Sequence, residues 1–192
     1  PEAASAFAKN AIADGYGATI CGAGKDLKEA SDYTVIETDG GKCALISICA
    51  TFNDAARAGN PSEYLTGRPG LNPLRFSVEY RITPEHMRAL KEISAGTHID
   101  GRRNRSRMGV YTPMPPEGCF GFGEYTFRES DVEGKFSRVN AVDMARTEQT
   151  IKDALAACEN VIVNIHSHEI KHDTDDEPDD FLIEFARKCI DA

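Results

Sequence analysis

No apolar run in this 192-residue chain approaches the roughly 18 residues that a membrane-spanning helix needs. The given sequence does not open on a charged and then apolar leader either. It starts at Pro1 without a methionine and stops at Cys189-Ile190-Asp191-Ala192, in what reads as a helix still in progress. Both ends therefore read as processed or cut, with any localisation signal lost alongside them. Positive charge is scarce. Lys and Arg number 22 against 31 Asp and Glu, a net charge of −9, which weighs against general nucleic-acid or anionic-membrane binding.

Further absences narrow the chemistry. The six cysteines, Cys21, Cys43, Cys49, Cys119, Cys158 and Cys189, form no CxxC pair. Several lie inside apolar runs such as Cys43-Ala44-Leu45-Ile46-Ser47-Ile48-Cys49, so they read as small buried hydrophobes, with disulfides as the alternative. There is no Gly-x-Ser-x-Gly motif, and no cysteine has an evident histidine nearby, so nothing leads to a serine or cysteine triad. Gly22-Ala23-Gly24-Lys25 lacks the full phosphate-loop spacing and its following Ser or Thr, and reads as a turn after a strand. No internal repeat or low-complexity segment is present.

What is there suits one medium domain with a real core. Hydrophobic residues make up 41% and charged residues 28%, as in ordinary globular proteins. An Ala-rich helix is expected over 3–13, then a break at 14–17 and a short buried strand at 18–21. A helical turn at 26–30 precedes two β-rich runs, 33–37 and 42–48, joined by Asp39-Gly40-Gly41 as a hairpin. Residues 52–73 read as a long irregular loop. Phe76 to Ile82 alternates as a strand, and Thr83 and Pro84 start a helix with Met87, Leu90 and Ile93 on its apolar side. A second irregular region spans 97–118, and Phe120, Phe122, Tyr125 and Phe127 suggest one strand after it. A helix over about 142–158 buries Met144, Ile151, Leu155 and Cys158. The strand 160–165 and a last helix bearing Phe181, Leu182, Phe185 and Cys189 complete an expected α/β/α unit. Its uninterrupted Val161-Ile162-Val163-Asn164-Ile165 suits a strand covered on both faces.

Ligands in α/β sheets bind outside the carboxyl ends of strands. His166-Ser167-His168-Glu169 begins at that end. Residues two apart on a strand point the same way, so His166 and His168 share a side if the extended geometry persists, and Glu169 adds a carboxylate. Neutral imidazole and carboxylate suit zinc, manganese or iron, and a bound ion would lower the pKa of its water. The plainer alternative is the start of a polar loop. His172, Asp173, Asp175, Asp176 and Glu177 read as a solvated acidic continuation. Arg68, in the rigid Gly67-Arg68-Pro69-Gly70-Leu71-Asn72-Pro73 segment, offers a planar fork to a carboxylate or phosphate, or else serves the loop. Arg102, Arg103, Arg105 and Arg107 read as a solvated loop, with an anionic polymer as their alternative partner. His86 and His98 have no supporting neighbours and read as surface residues.

Four segments together resemble the CapA family of poly-γ-glutamate capsule-synthesis proteins. They are Ala18 to Leu27 with Glu29-Ala30; Ala44 to Ser47 with Thr51-Phe52-Asn53 and Ala55-Ala56; Gly67 to Arg75; and Val163 to Glu169 with Phe181-Leu182 and Ala186 to Ala192. They run in family order over nearly the whole chain. The resemblance implies an α/β fold of sheet layers flanked by helices, part of a metallophosphoesterase-like α/β/β/α sandwich. It implies a two-metal site gathered from several strand ends, of which this chain carries only the His-Ser-His-Glu segment. The chain then reads as a single domain, 1–192, internal to a longer protein at the cell surface or otherwise outside the cytoplasm. By the same resemblance His166 and His168 would hold a divalent metal (Mn, Zn or Fe). His166, His168 and Glu169 would be catalytic, with Glu169 as base or support. Arg68, Asn72 and Arg75 would bind substrate carboxylates. The expected partners are an anionic polymer or its precursor and membrane-bound capsule synthase components, with no nucleic acid. A phosphoesterase acting on a small phosphate ester, and a non-catalytic scaffold subunit of the synthase, are the competing expectations.

Overall fold

The computed structural model describes residues 19–64, 66–106, 114–173 and 176–192. The helix expected over 3–13, the break at 14–17, Ala18, Arg107 and Asp175 lie outside these residues. The described chain is mixed α/β, with several sheets flanked by helices, as expected. Its contacts group into two compact units, Pro1–Phe76 with Val139–Ala192, and Ser77–Arg138.

In the first unit, β1 (Ala23–Gly24) leads into α1 (Leu27–Ser31), whose cap Asp26 accepts from the Glu29 N–H at 2.9 Å. β2 (Thr34–Thr38) and β3 (Gly41–Cys49) form the expected antiparallel hairpin. A 3-10 turn (Asp54–Ala56) and β4 (Gly70–Leu71), paired with β1, punctuate the long loop. The strand expected at 18–21 does not form over Thr19–Cys21. There the chain is held by side chains instead: Thr34 Oγ1 donates to Ile20 O, and the Cys21 thiol donates to Leu45 O. Gly22 then turns at φ 79°, and a Cβ on it would stand 2.6 Å from Ser47 O, so pairing begins only at Ala23.

The chain enters the second unit within β5 (Phe76–Ile82) and leaves it within β8 (Gly134–Val139). Between them lie α2 (Pro84–Thr97), α3 (Gly101–Ser106), β6 (Cys119–Phe122) and β7 (Tyr125–Glu129). The sheet order is β6-β7-β5-β8, with β5 and β7 parallel and β6 and β7 antiparallel. The single strand expected around residues 120–127 is a hairpin, because Gly123 takes a positive φ of 58° between its halves. Helix α3 breaks the expected irregular stretch, and β8 was not foreseen. Thr83 caps α2 with Pro84 at its start, as read. Met87 is buried but Ile93 is exposed, so the apolar side of α2 is narrower than expected. His98 ends the helix in the left-handed region, and His86 pairs with Glu133 on the surface.

The first unit closes with α4 (Ala141–Leu155), β9 (Asn160–His166) and α5 (Asp180–Asp191). β9 runs parallel to β3 in register from Cys43↔Asn160 to Cys49↔His166. Ala44, Ile46 and Ile48 of β3 share one face with Val161, Val163 and Ile165 of β9. Met144, Ile151 and Ala154 of α4 and Phe181 and Phe185 of α5 complete that core. Phe76 stacks on Phe181 with ring centroids 4.1 Å apart. Both helices therefore serve the same face of the sheet. The opposite face of β9 is open among the described residues, and Ile162 is 54% exposed. This corrects the expected α/β/α unit and its doubly covered strand. Leu155 is likewise exposed, and Thr147 takes its place on the inward stripe of α4. All six cysteines are free thiols.

Candidate functional site

β3 and β9 are parallel, so their carboxyl ends meet at one edge, with Cys49 beside His166. The chain leaving β3 folds across that end, where Ala50 N–H donates to His166 O at 2.8 Å. This fold brings Thr51 to the loop after β9. Thr51 Oγ1 donates to Glu169 Oε2 at 2.8 Å and accepts from His168 N–H at 2.8 Å. Ser167 Oγ donates to the same carboxylate oxygen and accepts from Glu169 N–H at 3.3 Å. The loop is thus fixed by a small closed network rather than left as a free polar tail.

The two histidines come together at the surface, their rings 4.6 Å apart and edge to face. Glu169 is turned into its own loop, with Oε2 committed to two hydroxyls. Among the described residues no three His, Cys, Asp or Glu side chains gather to hold a metal ion. Two imidazoles alone fall short of the three protein ligands of a catalytic zinc site, so the described residues do not make up a metal centre. The Cys49 thiol, beside His166, donates to Thr51 O at 3.1 Å. Burial pushes its pKa up, against the bond to Thr51 O, and the Glu169 charge adds to the rise, so it stays neutral at pH 7.

Each of the three expected substrate contacts has some of its donors engaged in the scaffold. Arg68 Nε donates to Arg57 O at 2.8 Å and Nη2 to Asp54 O at 3.2 Å, stapling the long loop to itself. Asn72 is buried, donates through Nδ2 to Ser47 O and accepts on Oδ1 from Arg146. Arg75 grips Asp143 with two bonds of 2.8 Å, and its guanidinium pKa is raised first by that bond. Asp143 is fully buried and also accepts from Arg146 at 2.7 Å. Burial pushes its carboxyl up, but the Arg75 and Arg146 bonds outweigh this and hold it below the usual carboxylate range. Neither Asp143 nor the hydroxyl of Thr51 was singled out from the sequence; each meets its partners only across the fold. In the acidic loop, His172 pairs with Glu177 and Lys171 with Asp180, and an isolated bridge joins Ile170 to Pro178.

The fold and site define a mixed α/β protein with polar side chains at the carboxyl end of a parallel strand pair. Residues 8–192 match the family described as bacterial capsule synthesis protein, and the chain belongs to that family. The resemblance to the CapA family is thereby borne out. Two uncharacterised proteins of Sinorhizobium fredii, y4sH and y4uA, are each 26% identical over 181 residues, 94% of this chain. The chain spans 37% of the length of these relatives.

Proposed function

We propose that this capsule synthesis protein handles an anionic polymer, poly-γ-glutamate or its precursor, at the carboxyl end of β9. The observation that carries the reading is the exposed pair His166 and His168, held side by side by a braced loop in a chain of this family. Imidazole both donates and accepts hydrogen bonds, which matches the amides and carboxylates of such a polymer. Glu169, Ser167 and Thr51 fix the loop so that the two rings keep their spacing. Arg68, Asn72 and Arg75 frame the neighbouring loop through their scaffold bonds. In the whole protein His166 and His168 would supply two ligands of a divalent ion (Mn, Zn or Fe), the others coming from outside the described residues. Such an ion, when bound, supplies Lewis acidity. The reading places the whole protein outside the cytoplasm, beside membrane-bound synthase components.

The test uses the purified full-length protein with added manganese. It is offered poly-γ-glutamate and, separately, a panel of small phosphate esters. Binding or a change in polymer length, with the esters left intact, is expected. Turnover of an ester without any effect on the polymer would replace this reading with a phosphoesterase.

A further inference from the structure

In the second unit the sheet has one polar face. Along β5, alternation sends Ser77, Glu79 and Arg81 one way and Val78, Tyr80 and Ile82 the other. The parallel register sets Arg128 of β7 beside Arg81. Phe136 and Arg138 of β8 complete the lining of an open cavity of about 310 Å³ formed by Ser77, Glu79, Arg81 and Arg128.

Glu79 organises this cavity. Its Oε1 accepts from Arg81 Nε at 3.0 Å and its Oε2 from Arg128 Nε at 2.7 Å. Burial pushes the carboxyl up, yet the Arg128 and Arg81 bonds outweigh this and leave it below its ordinary value, so Glu79 is charged at neutral pH. The Arg81 guanidinium also lies 3.9 Å from the centroid of the Phe136 ring, which holds it flat. Both arginines reach Glu79 through Nε. Their terminal nitrogens, which give guanidinium its affinity for forked oxygens, are not spent on that carboxylate. Arg138 is exposed and forms no ion pair among the described residues. Three guanidiniums face one carboxylate, so the cavity carries two positive charges in excess within a chain of net charge −9. Like charges crowded in this way repel one another until an anion joins them.

We infer that this cavity is an oxyanion-binding site that takes a carboxylate or phosphate group on Arg81, Arg128 and Arg138. Glu79 presets the two forks, and Phe136 supports one of them. The site lies wholly within the second unit and does not rest on the reading of the loop after β9.

The test titrates the intact chain at low ionic strength with inorganic phosphate and, separately, with glutarate as a plain carboxylate, by calorimetry. One-to-one binding of either probe supports the site, and the preferred probe names the chemical source. Arg138→Ala should weaken binding about tenfold, the loss of one charge-assisted contact. Glu79→Gln should tighten it, because the amide oxygen can still accept from both Nε groups while the cavity's excess positive charge rises from two to three. Lys152→Ala, at an exposed helix position in the first unit, is the control for general charge and should change nothing. Circular dichroism and the unfolding midpoint verify that each variant folds. The site is overturned if neither probe binds, if Arg138→Ala binds as the parent does, or if Lys152→Ala weakens binding equally.

Discussion

Asp143 has no exposed surface, and a carboxylate there is tolerated only because Arg75 and Arg146 both bond it. Replacing it with Asn leaves two guanidiniums facing a neutral amide. Asp143→Asn is expected to lose about 3 kcal/mol in urea unfolding, the scale of a broken buried pair. The sign of the pH effect follows from the lowered folded pKa. The stabilisation is fully present above the unfolded value near 3.8 and is lost as pH falls through the lower folded value. The parent should therefore lose stability in that acid window more steeply than Asp143→Asn does. Thr51→Val removes the hydroxyl that joins His168 N–H to Glu169, at a cost of about 1 kcal/mol. Faster hydrogen exchange at the His168 amide is the expected readout, and unchanged exchange would show that Thr51 does not brace the loop. His166 and His168 were legible in the sequence because strand alternation and the end of an apolar run are local signals. The Thr51–Glu169 and Arg75–Asp143 bonds were not, since their partners stand 118 and 68 residues apart.

At the scale of elements, β9 shows where local pattern stops informing. A short apolar run broken only by Asn164 reads much the same whether one face of a strand is covered or both. Here Val161, Val163 and Ile165 enter the core while Ile162 faces outward. Ile46→Ala is expected to cost about 2–5 kcal/mol, as buried large-to-small changes do. Ile162→Ala in the same chain should stay within about 0.5 kcal/mol, the range of surface changes. Equal losses in the two denaturation curves would mean that the outer face of β9 is covered. Gly22→Ala should destabilise by about 1–3 kcal/mol, since it forces a side chain into a left-handed residue pressed against Ser47. The hairpin of β2 and β3 and the capped start of α2 were readable from turn and cap residues that act over a few positions. The strand expected before Gly22 failed because side-chain bonds to Ile20 O and Leu45 O replace ladder pairing there. β8 escaped notice because Lys135 and Arg138 interrupt the hydrophobic pattern of its sequence.

At the scale of the molecule, membership of the capsule synthesis family joins a parallel strand pair to a braced histidine loop. No helix among the described residues is long and apolar enough to cross a membrane. The chain covers 37% of its relatives' length, so the functional claim belongs to the whole protein. The most direct measurement compares two variants of the full-length protein, His166→Gln and Ile162→Ala, in cells that depend on it for capsule. Both residues lie on the face of β9 that is open among the described residues, four positions apart, and both changes should leave the fold intact. The account expects surface polymer to fall at least about tenfold, the scale of one lost site contact, with His166→Gln and to stay at the parent level with Ile162→Ala. Unchanged polymer with His166→Gln, in protein of normal abundance, would contradict it.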